Sequence, residues 1–136
     1  MLGVNYADWD SVKAHEDFMK LSTYTPFIAK VNAVCTAPIT IFHTHLQPFP
    51  PSEIFQADVV ELAVLAKKPD VWPDQFEKAS DAFFERVQKV PGYRCHFRGI
   101  KYEDHNIHIN LIGWDSMEVG GIKLNHKDHS DETCPG

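Results

Sequence analysis

The nine residues "NIHINLIGW" at 106–114 constrain this chain more than any other stretch. Ile107, Ile109 and Leu111 alternate with His108, Asn110 and Ile112. A period of two is the mark of a strand that offers a different surface to each side. One side is wholly apolar; the other carries His108, Asn110, Ile112 and Trp114. A chain holding such a strand must build a sheet and cover its apolar face.

The neighbouring segments supply the rest of that sheet. "YRCHFRGIKY" at 93–102 is a second strand, joined to the first through "EDHN", a composition that favours a turn. Ahead of it, "PDQFEKASDAFFERVQKV" predicts a helix from residue 73. Pro73 suits a first helical turn, and Asp74 and Glu77 suit its positive end. Phe76, Ala79, Phe83 and Val87 fall on one face, and Pro91-Gly92 stops the helix. The apolar run "DVVELAVLAKK" predicts a buried strand near 58–66, and "APITIFHTHLQPF" predicts an alternating strand over roughly 38–47. Towards the N-terminus, Asp10 or Ser11 caps a helix running to about Leu21. Pro26 disfavours a helical Thr25, so "PFIAKVNAV" reads as a second short helix with Phe27, Ile28 and Val31 inward. These elements predict one domain over 1–118 and a polar tail over 119–136, in a chain long enough to bury a core.

The order is α-β-β-α-β-β. Trp-Asp-Ser occurs twice, at 9–11 and 114–116. Read cyclically from residue 57, with the two copies marking one structural place, the order becomes βαββαβ. That is the ferredoxin-like α+β arrangement, an antiparallel sheet with helices on one face. This permuted reading predicts that 38–47 pairs antiparallel with 57–66, that 57–66 neighbours 106–113, and that 93–102 lies at the far edge.

"WDSVKAHEDFMKLSTYTPFIAKV" resembles the antibiotic biosynthesis monooxygenase-like family of dimeric α+β barrel proteins, through Trp9, Asp10, Ser11, Ala14, His15 and Phe18. "NLIGWDSMEV" matches the same strand end and first turn, and "GGIKLNHK" then departs from it. "FEKASDAFFERVQKVPGYRCHFRG" resembles the family's first helix and second strand. The match spans about 9–47 and 57–118. The permuted order fits either a natural permutation or a fragment of a tandem protein. The resemblance implies a homodimer packed sheet to sheet, with a pocket between each sheet and its helices. It also implies a cofactor-independent enzyme of secondary metabolism acting on an aromatic, phenolic or polyketide-like small molecule. A monooxygenase is the first expectation and a cyclase or isomerase the alternative; a non-catalytic ligand-binding or dimerisation module is the rival. Haem-binding relatives in the wider superfamily keep haem as a lesser option.

In such a fold Ile107, Ile109 and Leu111 suit the dimer core, while His108 and Asn110 face the pocket. His108 is then a candidate base and Asn110 a candidate oxyanion donor. Asn110 and Trp114 repeat a spacing that family oxygenases use for substrate contact, which makes Trp114 a substrate-binding candidate beside a plain packing role. His43 and His45 project to one face of the expected strand and are alternative catalytic histidines. His96 and Arg98 share a face and are candidate substrate contacts, as is Tyr24 at the second helix. His15 reads as structural.

His43 and His45 with His96 or His108 also suggest a metal site, but no carboxylate or cysteine completes it, so none is assigned. His126, His129 and Cys134 in the tail read as solvated. A net charge of −6 argues against nucleic acid and against an anionic membrane as partners. No apolar run approaches the roughly 20 residues of a membrane span. With no basic-then-apolar leader and three scattered cysteines, a reducing, cytoplasmic location is expected.

Overall fold

A computed structural model describes residues 4–117 of the chain. The expected tail over 119–136, with His126, His129 and Cys134, lies outside the described residues. The described residues fall into two compact units, divided between His43 and Thr44.

The first unit holds α1 (Val12–Met19) and α2 (Tyr24–Asn32). Ser11 caps α1: its Oγ accepts a hydrogen bond from the Ala14 N–H at 3.1 Å, which satisfies one of the orphan donors of the first turn. The expected break at Thr25 falls earlier. α2 already starts at Tyr24, with Pro26 inside its first turn, where a missing N–H costs no helical bond. No residue of α2 is buried, and Phe27, expected inward, is 52% exposed. The buried residue of α1 is His15.

The second unit is α+β, with β1 (Val59–Ala66), α3 (Pro73–Val87), β2 (Tyr93–Ile100) and β3 (Ile107–Trp114). β3 lies between β1 and β2 and is antiparallel to both, so β1 and β2 are parallel neighbours split by β3. Such a split β-α-β unit is consistent with a ferredoxin-like fold. The β2–β3 turn is closed by Asp104, whose Oδ1 accepts from the Asn106 N–H at 2.9 Å. α3 opens as expected, with Pro73 in its first turn and the Gln75 side chain accepting from the Trp72 N–H at 3.3 Å.

Register assigns the two sheet faces. His108, Asn110, Ile112 and Trp114 share one face with Glu61 and Ala63 of β1 and with His96 and Arg98 of β2. α3 packs on this side, where Phe84, Val87, Ile112 and Trp114 form a buried cluster. Each such side chain, when fully enclosed, contributes roughly 1.5–3 kcal/mol. The inward stripe of α3 is Phe76, Ser80, Phe84 and Val87. The expected stripe through Ala79 and Phe83 is therefore rotated by about one residue, and Phe83 is 43% exposed. Adjacent phenylalanines at 83 and 84 satisfy a helical period from either position, and only the facing strands choose between them.

The opposite face differs from expectation in two respects. First, 38–47 forms no strand. Thr44 and Gln47 make isolated pairings with Lys101 and Arg98, beside β2. Gln47 and Arg98 exchange both backbone bonds, at 2.8 and 2.9 Å. The permuted reading required this segment beside β1, so the joint it needs is not formed. Gly99 explains the close approach: a Cβ there would lie 2.2 Å from Thr44 Oγ1 and 2.8 Å from the His45 carbonyl oxygen. Secondly, part of the apolar face is covered by the chain itself. Leu46, and Ile54 of a 3-10 turn (Ser52–Gln56), pack with Phe97 against Cys95 and Leu111. β1 is an edge strand among the described residues and not the doubly buried one expected; Val60, Val64 and Leu65 remain exposed.

Candidate functional site

The helix-covered face of the second unit collects most of its polar chemistry. His96 and Arg98 of β2 and His108 and Asn110 of β3 all point to this side, with Arg98 directly opposite Asn110. Arg98 is held firmly. Its Nη1 donates to Asp81 Oδ1 at 2.7 Å and to Ser80 Oγ at 3.1 Å, and its guanidinium lies 5.2 Å above the Phe84 ring. His96 also stacks on Phe84, with the ring centroids 4.2 Å apart and the rings 16° apart. Its Nδ1 is 2.7 Å from the Tyr93 hydroxyl. Asp81, Phe84, Glu85, Gln88, His96 and Arg98 line an open groove of about 280 Å³.

Burial keeps both histidines from carrying a charge near neutrality. His96 is pushed below its ordinary value of 6.5 by burial and then by the charge of Arg98. His108 is pushed down by burial too; Glu77 opposes this, while Lys67 and Arg98 add to it. Its ring lies 4.1 Å from Phe76. Both imidazoles are therefore neutral at pH 7, the state in which a histidine can accept a proton or donate a neutral N–H.

Asn110 is only 5% exposed, the one buried residue among the polar candidates on this face. Its cross-strand neighbour on β1 is Ala63, and Glu61 lies one diagonal step away. Trp114 shares the face but is fully enclosed, and its Nε1 donates to Glu61 Oε2 at 3.0 Å. Its place is in the core, with its one polar atom already occupied.

The remaining candidates sit elsewhere. His43 is in the first unit, where its Nε2 lies 2.7 Å from His15 Nδ1. Trp9 stacks on His15 at 4.4 Å. Tyr24 packs edge-on against Phe18 at 5.5 Å. In the second unit His45 is exposed and stacks on Phe49 at 5.9 Å. Because 38–47 is not a strand, the alternation that put His43 and His45 on one face does not apply. No group of three or more His, Cys, Asp or Glu among the described residues is placed to hold a metal ion. A second open groove, about 310 Å³, is lined by Glu53, Gln56, Arg94 and Cys95. Burial and Glu53 push the Cys95 thiol up, which makes it a weak nucleophile.

Tyr93 was not legible in the alternation. A register shift between Tyr93 and Cys95 puts one extra residue into β2, which turns Tyr93 to the same face as His96 three positions later. Glu61 did leave a signal, as the lone charge in an otherwise apolar strand.

No family model, curated protein or solved structure matches this chain. No helix among the described residues is long and apolar enough to cross a membrane.

Proposed function

We propose that the chain is a cofactor-independent acid–base enzyme of secondary metabolism, resembling the antibiotic biosynthesis monooxygenase-like proteins, and that its substrate is a phenolic or polyketide-like molecule. The observation that carries this reading is the nearly buried Asn110, directly opposite Arg98 on the face that also presents His96 and His108. His108, neutral at pH 7, takes a proton from the substrate, leaving a phenolate or enolate. Asn110 donates to the oxygen on which charge develops. Dioxygen then enters as second substrate and oxidises a CH2 next to the anion to C=O: the substrate supplies all four electrons and both hydrogens, so one oxygen atom stays in the product and the other leaves as water.

The test is oxygen uptake in the presence of hydroxylated polycyclic ketones, with product masses read in parallel. Uptake that is lost in Asn110→Ala supports the monooxygenase. Conversion without uptake identifies the cyclase or isomerase, which needs the same anion. Binding without conversion identifies the module, a reading favoured by the openness of the groove beside His96.

The dimeric barrel is part of the same proposal. Val60 and Val64 of β1, on the face opposite α3, are 43% and 54% exposed, while Leu46 and Ile54 pack on Phe97 of β2 and Leu111 of β3. A second copy packed on β1 would remove this apolar surface from water.

A further inference from the structure

His96 can serve the site in two opposite ways. With its proton on Nδ1 it would offer a lone pair, and with its proton on Nε2 it would offer a donor. Tyr93 decides between them. Its hydroxyl is 2.7 Å from Nδ1 and has no other partner among the described residues. A phenol is the better hydrogen-bond donor of this pair and an imidazole nitrogen the better acceptor, so the bond runs from Tyr93 O–H to Nδ1. The ring proton is then on Nε2, and Nε2 is the nitrogen left for a ligand in the groove that His96 lines.

Resting on the function proposed above, we propose that Tyr93 is a positioning residue that holds His96 as the neutral Nε2–H tautomer, so that His96 donates a hydrogen bond to a carbonyl or phenolate oxygen of the ligand and does not act as the base. The surroundings agree. On β2, Arg98 opposes a second positive charge at His96. On α3, Asp81 is engaged by Arg98, and Glu85 lines the groove. On β3 the residue opposite His96 is Ile112, which carries no charge. Tyr93 itself stays protonated, since burial raises its pKa, followed by the charges of Cys95 and Glu53. Its ring is fixed edge-on against Trp114 at 6.2 Å. In the proposed reaction His96 then joins Asn110 as a donor and leaves His108 as the base, on a ligand that reaches from the groove at His96 and Arg98 past Asn110, which lies opposite Arg98. The ligand class narrows to molecules with an acidic O–H or C–H and at least one strong oxygen acceptor.

Nitrogen-15 NMR of the histidine rings tests this directly in the whole chain. His96 should show the Nε2–H pattern. In Tyr93→Phe, which keeps the ring against Trp114, the bond that favours the neutral ring is gone. The His96 pKa should then rise by roughly half to one pH unit. A wild-type Nδ1–H pattern, or a pKa that is unchanged or falls in Tyr93→Phe, overturns the proposal whatever the substrate is. In a second arm 4-hydroxyacetophenone is titrated in, and the His96 Nε2–H signal should shift together with those of His108 and Asn110. If His108 and Asn110 respond and His96 does not, the proposed function stands and the donor role falls. If none responds, both fall.

Discussion

His15 Nδ1 lies 2.7 Å from His43 Nε2, with the Trp9 ring stacked on His15 from another side. Such a bond needs one donor and one acceptor nitrogen, so it tolerates one proton more than the neutral pair but not two. His15 is 8% exposed, and its pKa is lowered by burial and then by the charge of His43.

The sign of the pH effect follows. A histidine whose folded pKa lies below the unfolded value of 6.5 binds fewer protons folded than unfolded in the interval between the two. Stability of the first unit should therefore fall as pH drops from 6.5 towards the folded value, and level off below it. Trp9 fluorescence during acid titration reports it. His15→Gln should flatten this dependence, and a transition unchanged in that variant would exclude His15 as its source.

Gly99→Ala should loosen the 44–47 segment from β2. The added methyl would meet Thr44 Oγ1 and the His45 carbonyl, and backbone cannot rotate away as a side chain can. A cost of about 1–3 kcal/mol is expected, as for other overpacking. Amide exchange at Gln47 and Arg98 should accelerate. Adding Thr44→Ala should restore only part of the loss, because the carbonyl remains.

Asn110→Ala should lower turnover about a hundredfold, ~3 kcal/mol, with a much smaller change in substrate binding, since the contact strengthens as charge develops. His108→Ala should also remove the acidic limb of the pH–rate profile. Because the His108 pKa is lowered, that limb lies below 6.5 and activity rises with pH through it. Full turnover in Asn110→Ala with an intact fold would make the polar face of β3 structural.

Val64→Glu puts a charge on the exposed apolar part of β1. If two copies meet there, the variant should be monomeric by light scattering while the wild type is dimeric, with unchanged circular dichroism. A monomeric wild type would exclude the barrel arrangement.

The strands β1, β2 and β3, the helix α3 and the cap at Ser11 were legible in the sequence because each rests on local rules: period two, period 3.6, turn composition, a side-chain oxygen before an apolar run. The same periodicity put His108 beside Asn110 and His96 beside Arg98 on single faces, as found. Local rules stop where two elements must choose each other. Alternation at 38–47 suited a strand, but pairing placed only Thr44 and Gln47 beside β2, where Gly99 leaves room. Phe83 and Phe84 were equivalent on the helix until the sheet selected Phe84. The repeated Trp-Asp-Ser shows the limit most clearly. Trp9 is 39% exposed and stacked on His15, whereas Trp114 is fully enclosed and bonded to Glu61. Three identical residues carry the same local preferences, but burial and hydrogen-bond partners are properties of what the rest of the chain packs around them. Tyr93 joined His96 for the same kind of reason: one extra residue in β2, accommodated by its pairing with β3, reversed the side on which an aromatic hydroxyl emerged.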